Sequence, residues 1–345
     1  MVGGRALTRG RGPAFGAFGC NSPRQARGGA SRGPAMWRRA LGGGRSQYHR
    51  RSMHLLLLLM VVIWGANYSL IKVVLHELPP PVFNALRLSI ASVVFVAVLA
   101  LTSRTRPTRR EWLQLAGLGF YGQFLYQLFF LNGMSRTSVA NASLIIGLVP
   151  MVVALTNAAL GLERLSRAYW VGTAVSLIGM YFVVGLDAGV ARTALLGDAL
   201  TFAAVLAWSA YTVAAKPLLA RHSSLIVSGW SIVLGTLFYL PYALPDVLAI
   251  EWRQIGAGAW IGTIVSALLS INLSYILWNR AVQTLGSSQT AIYSNLIPVA
   301  AVGTAAVWLG EPIDRWKAVG AALIIAGLVV ATRFGGGRGA IPAEE

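Results

Sequence analysis

From Met53 onward the chain alternates long apolar runs with short polar joints. Ten runs stand out, at roughly 53–75, 82–101, 112–132, 138–160, 168–186, 195–215, 225–243, 255–278, 288–309 and 316–333. A helix crossing ~30 Å of hydrocarbon needs about 20 residues, and these runs are of that order. Strands of a lipid-spanning barrel would be shorter and would alternate apolar with polar. In lipid the backbone must satisfy its own hydrogen bonds, which leaves helices. The pattern predicts an all-α integral membrane protein with ten transmembrane helices.

The joints carry an orientation signal. With the N-terminus on the cytoplasmic side, that side receives eleven Lys and Arg residues from the joints and the C-terminal end, and the other side receives five. Cytoplasmic joints of membrane proteins are enriched in Lys and Arg. The cluster Arg104, Arg106, Arg109 and Arg110 is the clearest vote. Both termini are expected in the cytoplasm and the protein in the cell membrane.

The chain also repeats itself. Residues 138–186 and 286–334 align without a gap at an offset of 148, matching Pro150 with Pro298, Glu163 with Glu311, Gly172 with Gly320 and Gly179 with Gly327. Nearer the starts of the halves, Trp64 and Lys72 match Trp208 and Lys216 at an offset of 144. Each half then holds five helices, and an odd number makes the second half enter from the opposite side. Two inverted five-helix repeats are expected, 53–187 and 195–334, related by a pseudo-two-fold axis in the membrane plane. Such symmetry gives alternating access around a site between the halves.

Composition changes the picture at the N-terminus. The 345 residues carry a formal net charge of +18, yet only 12% are charged and 56% are hydrophobic. A soluble domain has about 25% charged residues. Residues 1–52 hold eleven arginines and no acid, with much Gly, Ala, Pro and Ser and no helical or alternating period. Such a segment cannot bury enough apolar surface to become ordered, so a basic disordered tail is expected. Three readings of it stay open: upstream sequence preceding a true start at Met53, a basic cytoplasmic tail, or a targeting segment. No aromatic or groove-reading pattern supports nucleic-acid binding. Without the tail the net charge is +7.

The sequence offers little chemistry. One cysteine, Cys20, excludes an internal disulfide framework. Four histidines in no metal-ligand spacing leave no expected metal or cofactor. There is no nucleophile elbow, P-loop or dinucleotide fingerprint. The expected partners are a small-molecule substrate, the lipid bilayer and a coupling ion, for which the proton is the default. Small-residue pairs such as Gly172 with Ser176, Gly258 with Gly262 and Ala322 with Ala326 let helices approach closely, and in the fifth and tenth helices would also suit a homodimer contact.

These residues together resemble the drug/metabolite transporter superfamily, in particular its EamA-type members. The likeness covers most of 53–334. It rests on Leu55–Lys72, the matched Pro150 and Glu163, Gly197-Asp198 leading to Trp208–Lys216, Asn279-Arg280, and Ile297-Pro298 to Gly310-Glu311. The resemblance implies a ten-helix transporter of small metabolites, with amino-acid-like export as the first guess, and names no substrate. Two other classes compete: an integral-membrane enzyme on a lipid-linked substrate, and a non-transporting scaffold.

Polar residues inside the spans are the candidate site, because each is costly in lipid unless it faces a partner or a cavity. Arg87 stands first, as an anion contact or as a side chain snorkelling to the interface. Its counterpart in the second half is Ser231. Trp64, Tyr68 and Lys72 fall on one helical face at intervals of four. Trp208 and Lys216 occupy the matching places. The substrate-binding candidates are Trp64, Asn67, Tyr68, Arg87, Gln123, Asn141, Trp208, Asn272, Tyr275 and Asn295. Gating or coupling candidates are Lys72, Glu163, Asp198, Lys216 and Glu311. For each carboxylate the plainer reading is a helix cap or a pair with a basic joint.

Overall fold

A computed structural model describes residues 35–102, 106–134, 136, 145–184, 195–309 and 313–335. Among the described residues all regular structure is helical. The chain divides into two compact units, Met1–Ser46 and Gln47–Glu345, and the second contains the site. The helices are α1 (Ala35–Val74), α2 (Pro80–Thr102), α3 (Arg109–Gly119), α4 (Tyr126–Met134), α5 (Val149–Ala159), α6 (Arg167–Val184), α7 (Leu195–Ala214) and the short α8 (Lys216–Leu219). They continue with α9 (Ser224–Ala249), α10 (Ala257–Val265), α11 (Ser274–Leu285), α12 (Ser287–Ala291), α13 (Ile297–Leu309) and α14 (Arg315–Arg333). α1 starts at Ala35, inside the stretch read from sequence as unstructured. Extending an existing helix adds one hydrogen bond per residue fixed, without a new nucleus.

Wide π-helical turns at Phe120–Leu125 and Ser266–Leu273 join α3 to α4 and α10 to α11. The two turns sit at the 148-residue offset of the repeat. Local chemistry sets several helix starts. Thr108 and Glu111 form a reciprocal capping box at α3. Ser223 caps α9. Asp314 accepts from the backbone N–H of Trp316 at 2.7 Å and of Lys317 at 2.9 Å at the start of α14. The Lys317 and Trp316 amides hold the Asp314 carboxyl below its ordinary range despite some desolvation.

Among the described residues, seven helical stretches are long and apolar enough to cross a membrane, beginning with Ser52–Ile71 and ending with Arg315–Arg333. Their outward faces carry large apolar side chains, among them Leu101, Leu248 and Val307. Polar residues instead lie inside, where Asn84, Gln123, Asn157, Asn279 and Asn295 are fully buried. Water as solvent would select the reverse distribution. The chain is a multi-pass membrane protein.

Two crossings organise the bundle. α6 and α14 run antiparallel and touch through small residues. A Cβ on Gly179 would stand 2.6 Å from the Gly320 carbonyl, and one on Gly172 would stand 2.5 Å from that of Gly327. The Ser176 hydroxyl between them donates to the Ile324 carbonyl at 3.3 Å. The Gly172–Ser176 face is therefore covered within one chain, while Ala322 and Ala326 on α14 stay exposed. α2 and α9 also run antiparallel, with Ser92 and Thr236 sharing a 2.8 Å hydrogen bond and Gly229 against Phe95 and Leu99.

Candidate functional site

A cavity of about 80 Å³ lies between the two sequence halves. A water needs ~10–15 Å³ on the same measure, so there is room for a few waters or one compact solute. Its walls include Trp64, Asn67, Tyr68 and Ile71 on successive turns of α1 and Arg87 on α2. Much of the rest comes in repeat mates: Trp64 with Trp208, Gln127 with Tyr275, Ile146 with Ser294, and Val149 with Ile297. The floor is aromatic. The Trp208 ring lies 5.0 Å from Tyr126, 5.3 Å from both Tyr275 and Trp278, and 5.8 Å from Trp64. The Trp64 Nε1–H donates to the Ser270 carbonyl at 3.0 Å in the π-helical turn.

Arg87 is the charged group of this wall. It is buried, with 5% exposure, so it does not snorkel to an interface. Its Nε donates to Asn84 Oδ1 at 2.9 Å, Nη1 to Ser266 Oγ at 3.3 Å and Nη2 to Gln127 Oε1 at 3.1 Å. The Ser266 hydroxyl in turn donates to Asn67 Oδ1 at 2.7 Å. The Phe83 ring stands 5.0 Å from the guanidinium carbon. All three acceptors are neutral, and among the described residues no carboxylate lies within 4.0 Å of Arg87. Three of the five guanidinium N–H groups are thus engaged, and the positive charge is oriented but not neutralised.

Not every residue expected at the site faces the cavity. Asn272 donates to the Ala91 carbonyl at 3.1 Å and ties its π-helical turn to α2, off the cavity wall. Gln123 is buried where Gly235 of α9 packs on it, also off the wall. Asn295 is fully buried beside the wall residue Ser294, and among the described residues its two polar side-chain atoms find no hydrogen-bond partner. Asp198 lies in the first turn of α7, where a carboxylate suits the helix dipole. Asn141, Glu311 and the Lys72 side chain lie outside what is described.

Glu163 and Lys216 do meet. Lys216 Nζ lies 2.8 Å from Glu163 Oε1, joining the joint after α5 to the start of α8. The same oxygen accepts from the Ser287 hydroxyl at 2.9 Å and its backbone N–H at 3.2 Å. Gly286 makes this approach, because its φ of 92° and ψ of 161° suit glycine alone and turn Ser287 toward the carboxylate. Asn157 braces the cluster by donating to Ser287 Oγ at 2.8 Å and Ser288 Oγ at 2.9 Å. Burial raises the Glu163 carboxyl, but hydrogen bonds from Lys216, Ser288 and Ser287 outweigh it and leave the group below its ordinary value.

A second tie joins the same end of the bundle. Glu111 lies 3.1 Å from His222 Nε2 and 3.7 Å from Arg221 Nη1. Backbone and side-chain hydrogen bonds from Thr108, helped by His222, lower its carboxyl to about 2. The two ties draw on four joints that the charge pattern assigns to one side of the membrane, and they meet in space.

The family model for EamA-like transporters matches residues 51–185 and again 195–333. The chain belongs to the EamA-like transporter family. It is 31% identical over 277 residues to a probable terminal-alkyne amino-acid exporter of Streptantibioticus cattleyicolor, covering 80% of this chain and 92% of that one. It is 30% identical over 292 residues to a probable amino-acid metabolite efflux pump of Salmonella typhimurium, covering 80% and 93%. A crystal structure superposes with a TM-score of 0.69 at 21% identity, over 83% of this chain and 98% of its own, and so shares the fold.

In this EamA-like chain two residues that hold Arg87 and one wall residue escaped the sequence reading. Ser266, Asn84 and Tyr126 carry no signal beyond lying in apolar runs. Asn84 had one usable clue, standing three residues before Arg87 and so on the same helical face.

Proposed function

We propose that this protein is a secondary transporter that moves a small carboxylate-bearing metabolite across the cytoplasmic membrane by alternating access, with amino-acid-like export as the first substrate class to test. The observation that carries the reading is Arg87: a buried cation, held by three neutral acceptors on a cavity wall and left without a carboxylate among the described residues. A planar fork of N–H donors suits a substrate carboxylate. The amino-acid exporter and efflux-pump names of the two relatives agree with that class.

Inverted symmetry is supported by three contacts between repeat mates: Trp64 with Trp208, Ser92 with Thr236, and Ser176 with Ile324. A residue touches its own mate only at a two-fold axis. The antiparallel runs of α2 with α9 and α6 with α14 agree with it, as do the two matched stretches of the family model. The seven long apolar stretches, together with 112–132, 149–159 and 167–184, make up the ten spans of the two repeats 53–187 and 195–334. Both termini lie in the cytoplasm by the charge of the joints. The end closed by Glu163–Lys216 and Glu111–His222 is then the cytoplasmic one, and the state described is closed toward the cytoplasm. Glu163 and Lys216 gate that end, and their mates Glu311 and Lys72 are the corresponding groups of the other half. Asp198 and a proton gradient are the coupling candidates.

The test is uptake and efflux by reconstituted protein across a panel of amino acids and organic acids, with and without a pH gradient. Wild type should move at least one carboxylate and Arg87→Gln should lose it by more than tenfold while still eluting as a single species. Normal transport by Arg87→Gln refutes the site.

A further inference from the structure

A second cavity, of about 70 Å³, adjoins the first. The two share Tyr68, Ile146, Ser294 and Ile297 as a common boundary. Beyond it the second chamber is walled by Gly147, Met180, Pro298 and Ala301. Its polar side chains, Tyr68 and Ser294, both stand on the boundary, and the Ser294 hydroxyl already donates to the Ala291 carbonyl at 2.7 Å. The first chamber differs in kind, since it holds the Arg87 guanidinium, the Asn67 amide and the Gln127 amide. A charged compartment and an apolar one meet at a shared wall.

We infer that the two chambers form one head-and-tail site for an amphipathic carboxylate, with the head on Arg87 and an apolar tail in the chamber of Met180, Pro298 and Ala301. This rests on the transporter reading above and adds the substrate's second half. Burying a tail there removes apolar surface from water with no polar group left unpaired, whereas a polar tail would find no free partner beyond the boundary. Met180 and Ala301, on α6 and α13, then set the tail length that fits. Met180 is 1% exposed and buried against the chamber.

The experiment measures binding of straight-chain monocarboxylates of two, four, six and eight carbons to the full chain in nanodiscs. Fluorescence of the Trp64, Trp208 and Trp278 cluster is the readout, and empty discs correct for partitioning. Affinity should rise about fourfold per methylene, the equivalent of ~0.8 kcal/mol, until the tail fills the chamber, and then stop rising. Ala301→Leu should move that stop to a shorter acid and Met180→Ala to a longer one. If Ala301→Leu does not fold, the shift in Met180→Ala decides alone. Acetate binding that depends on Arg87, with no gain along the series or with the same stop in both variants, overturns the tail chamber and leaves the transporter reading standing. No Arg87-dependent binding of any acid, acetate included, overturns both.

Discussion

Replacing Glu163 by Gln keeps the shape of the side chain and removes its charge. In the native protein one oxygen receives Lys216 Nζ at 2.8 Å and the Ser287 hydroxyl and N–H at 2.9 and 3.2 Å. The pair is neither exposed nor fully buried, with side-chain exposures of 25% for Lys216 and 17% for Glu163. Exposed pairs contribute ~0–1 kcal/mol, and breaking a buried pair costs ~3–5 kcal/mol. An intermediate value of about 2 kcal/mol corresponds to a shift of about thirtyfold in the closed-to-open ratio at this end. The assay uses a Cys20→Ser background with Ala291→Cys, which places a thiol at the fully buried last residue of α12 beside the cluster. An impermeant maleimide applied from the cytoplasmic face should label Glu163→Gln about thirtyfold faster than the parent. Exchanging the charges, Glu163→Lys with Lys216→Glu, should recover much of the protection. The pH dependence has a definite sign. A carboxyl with a lowered folded pKa stabilises the closed end above its unfolded value and loses that contribution as pH falls through the folded one. Because the thiolate fraction itself falls with pH, the readout is the labelling ratio of Glu163→Gln to the parent, which should stay flat from pH 8 to 5 and shrink only in stronger acid. A drop in melting temperature with no change in labelling would show that the pair is structural and not a gate.

Two further outcomes follow from the packing. Gly179→Ala should lower the melting temperature, because the new Cβ meets the Gly320 carbonyl, the Ile324 N and the Leu323 Cβ within 2.8 Å. Gly117→Ala, with nothing within 4 Å of its Cβ, should raise it slightly, since alanine favours a helix over glycine by ~0.5–1 kcal/mol. Thr108→Ala removes a reciprocal cap and should cost about 1 kcal/mol in thermal unfolding. The difference from wild type should shrink in strong acid, because Glu111, held at about 2 by Thr108 and His222, contributes above the ordinary carboxylate range and is lost as pH falls toward its folded value.

The exporter reading and the head-and-tail site make different demands on these variants. Loosening the closed end with Glu163→Gln changes how often the site is exposed and leaves the chambers as they are. Changing Met180 or Ala301 alters what fits and leaves the ion pair in place. Kinetic effects of the two kinds are therefore separable in one protein.

The apolar runs, the repeat offsets and the charge of the joints were legible because each is a property of sequence order. Hydrocarbon thickness sets run length, and the proposed inversion and sidedness rest on the count of runs and on the Lys and Arg of the joints, none of which needs a contact. The Gly172, Gly179, Gly320 and Gly327 matches marked the repeat, and only the structure showed that they form the crossing of α6 with α14 within one chain. Which polar residues face the cavity could not be read this way. A span that is apolar on every side has no amphipathic stripe to mark its inner face, so Asn67 and Asn272 looked equivalent, and only packing put one on the cavity wall and the other on the Ala91 carbonyl. Arg87 could have reached for the interface or turned inward. Asn84, Ser266 and Gln127, from three elements far apart in the chain, decided that by supplying the acceptors that hold the guanidinium inside.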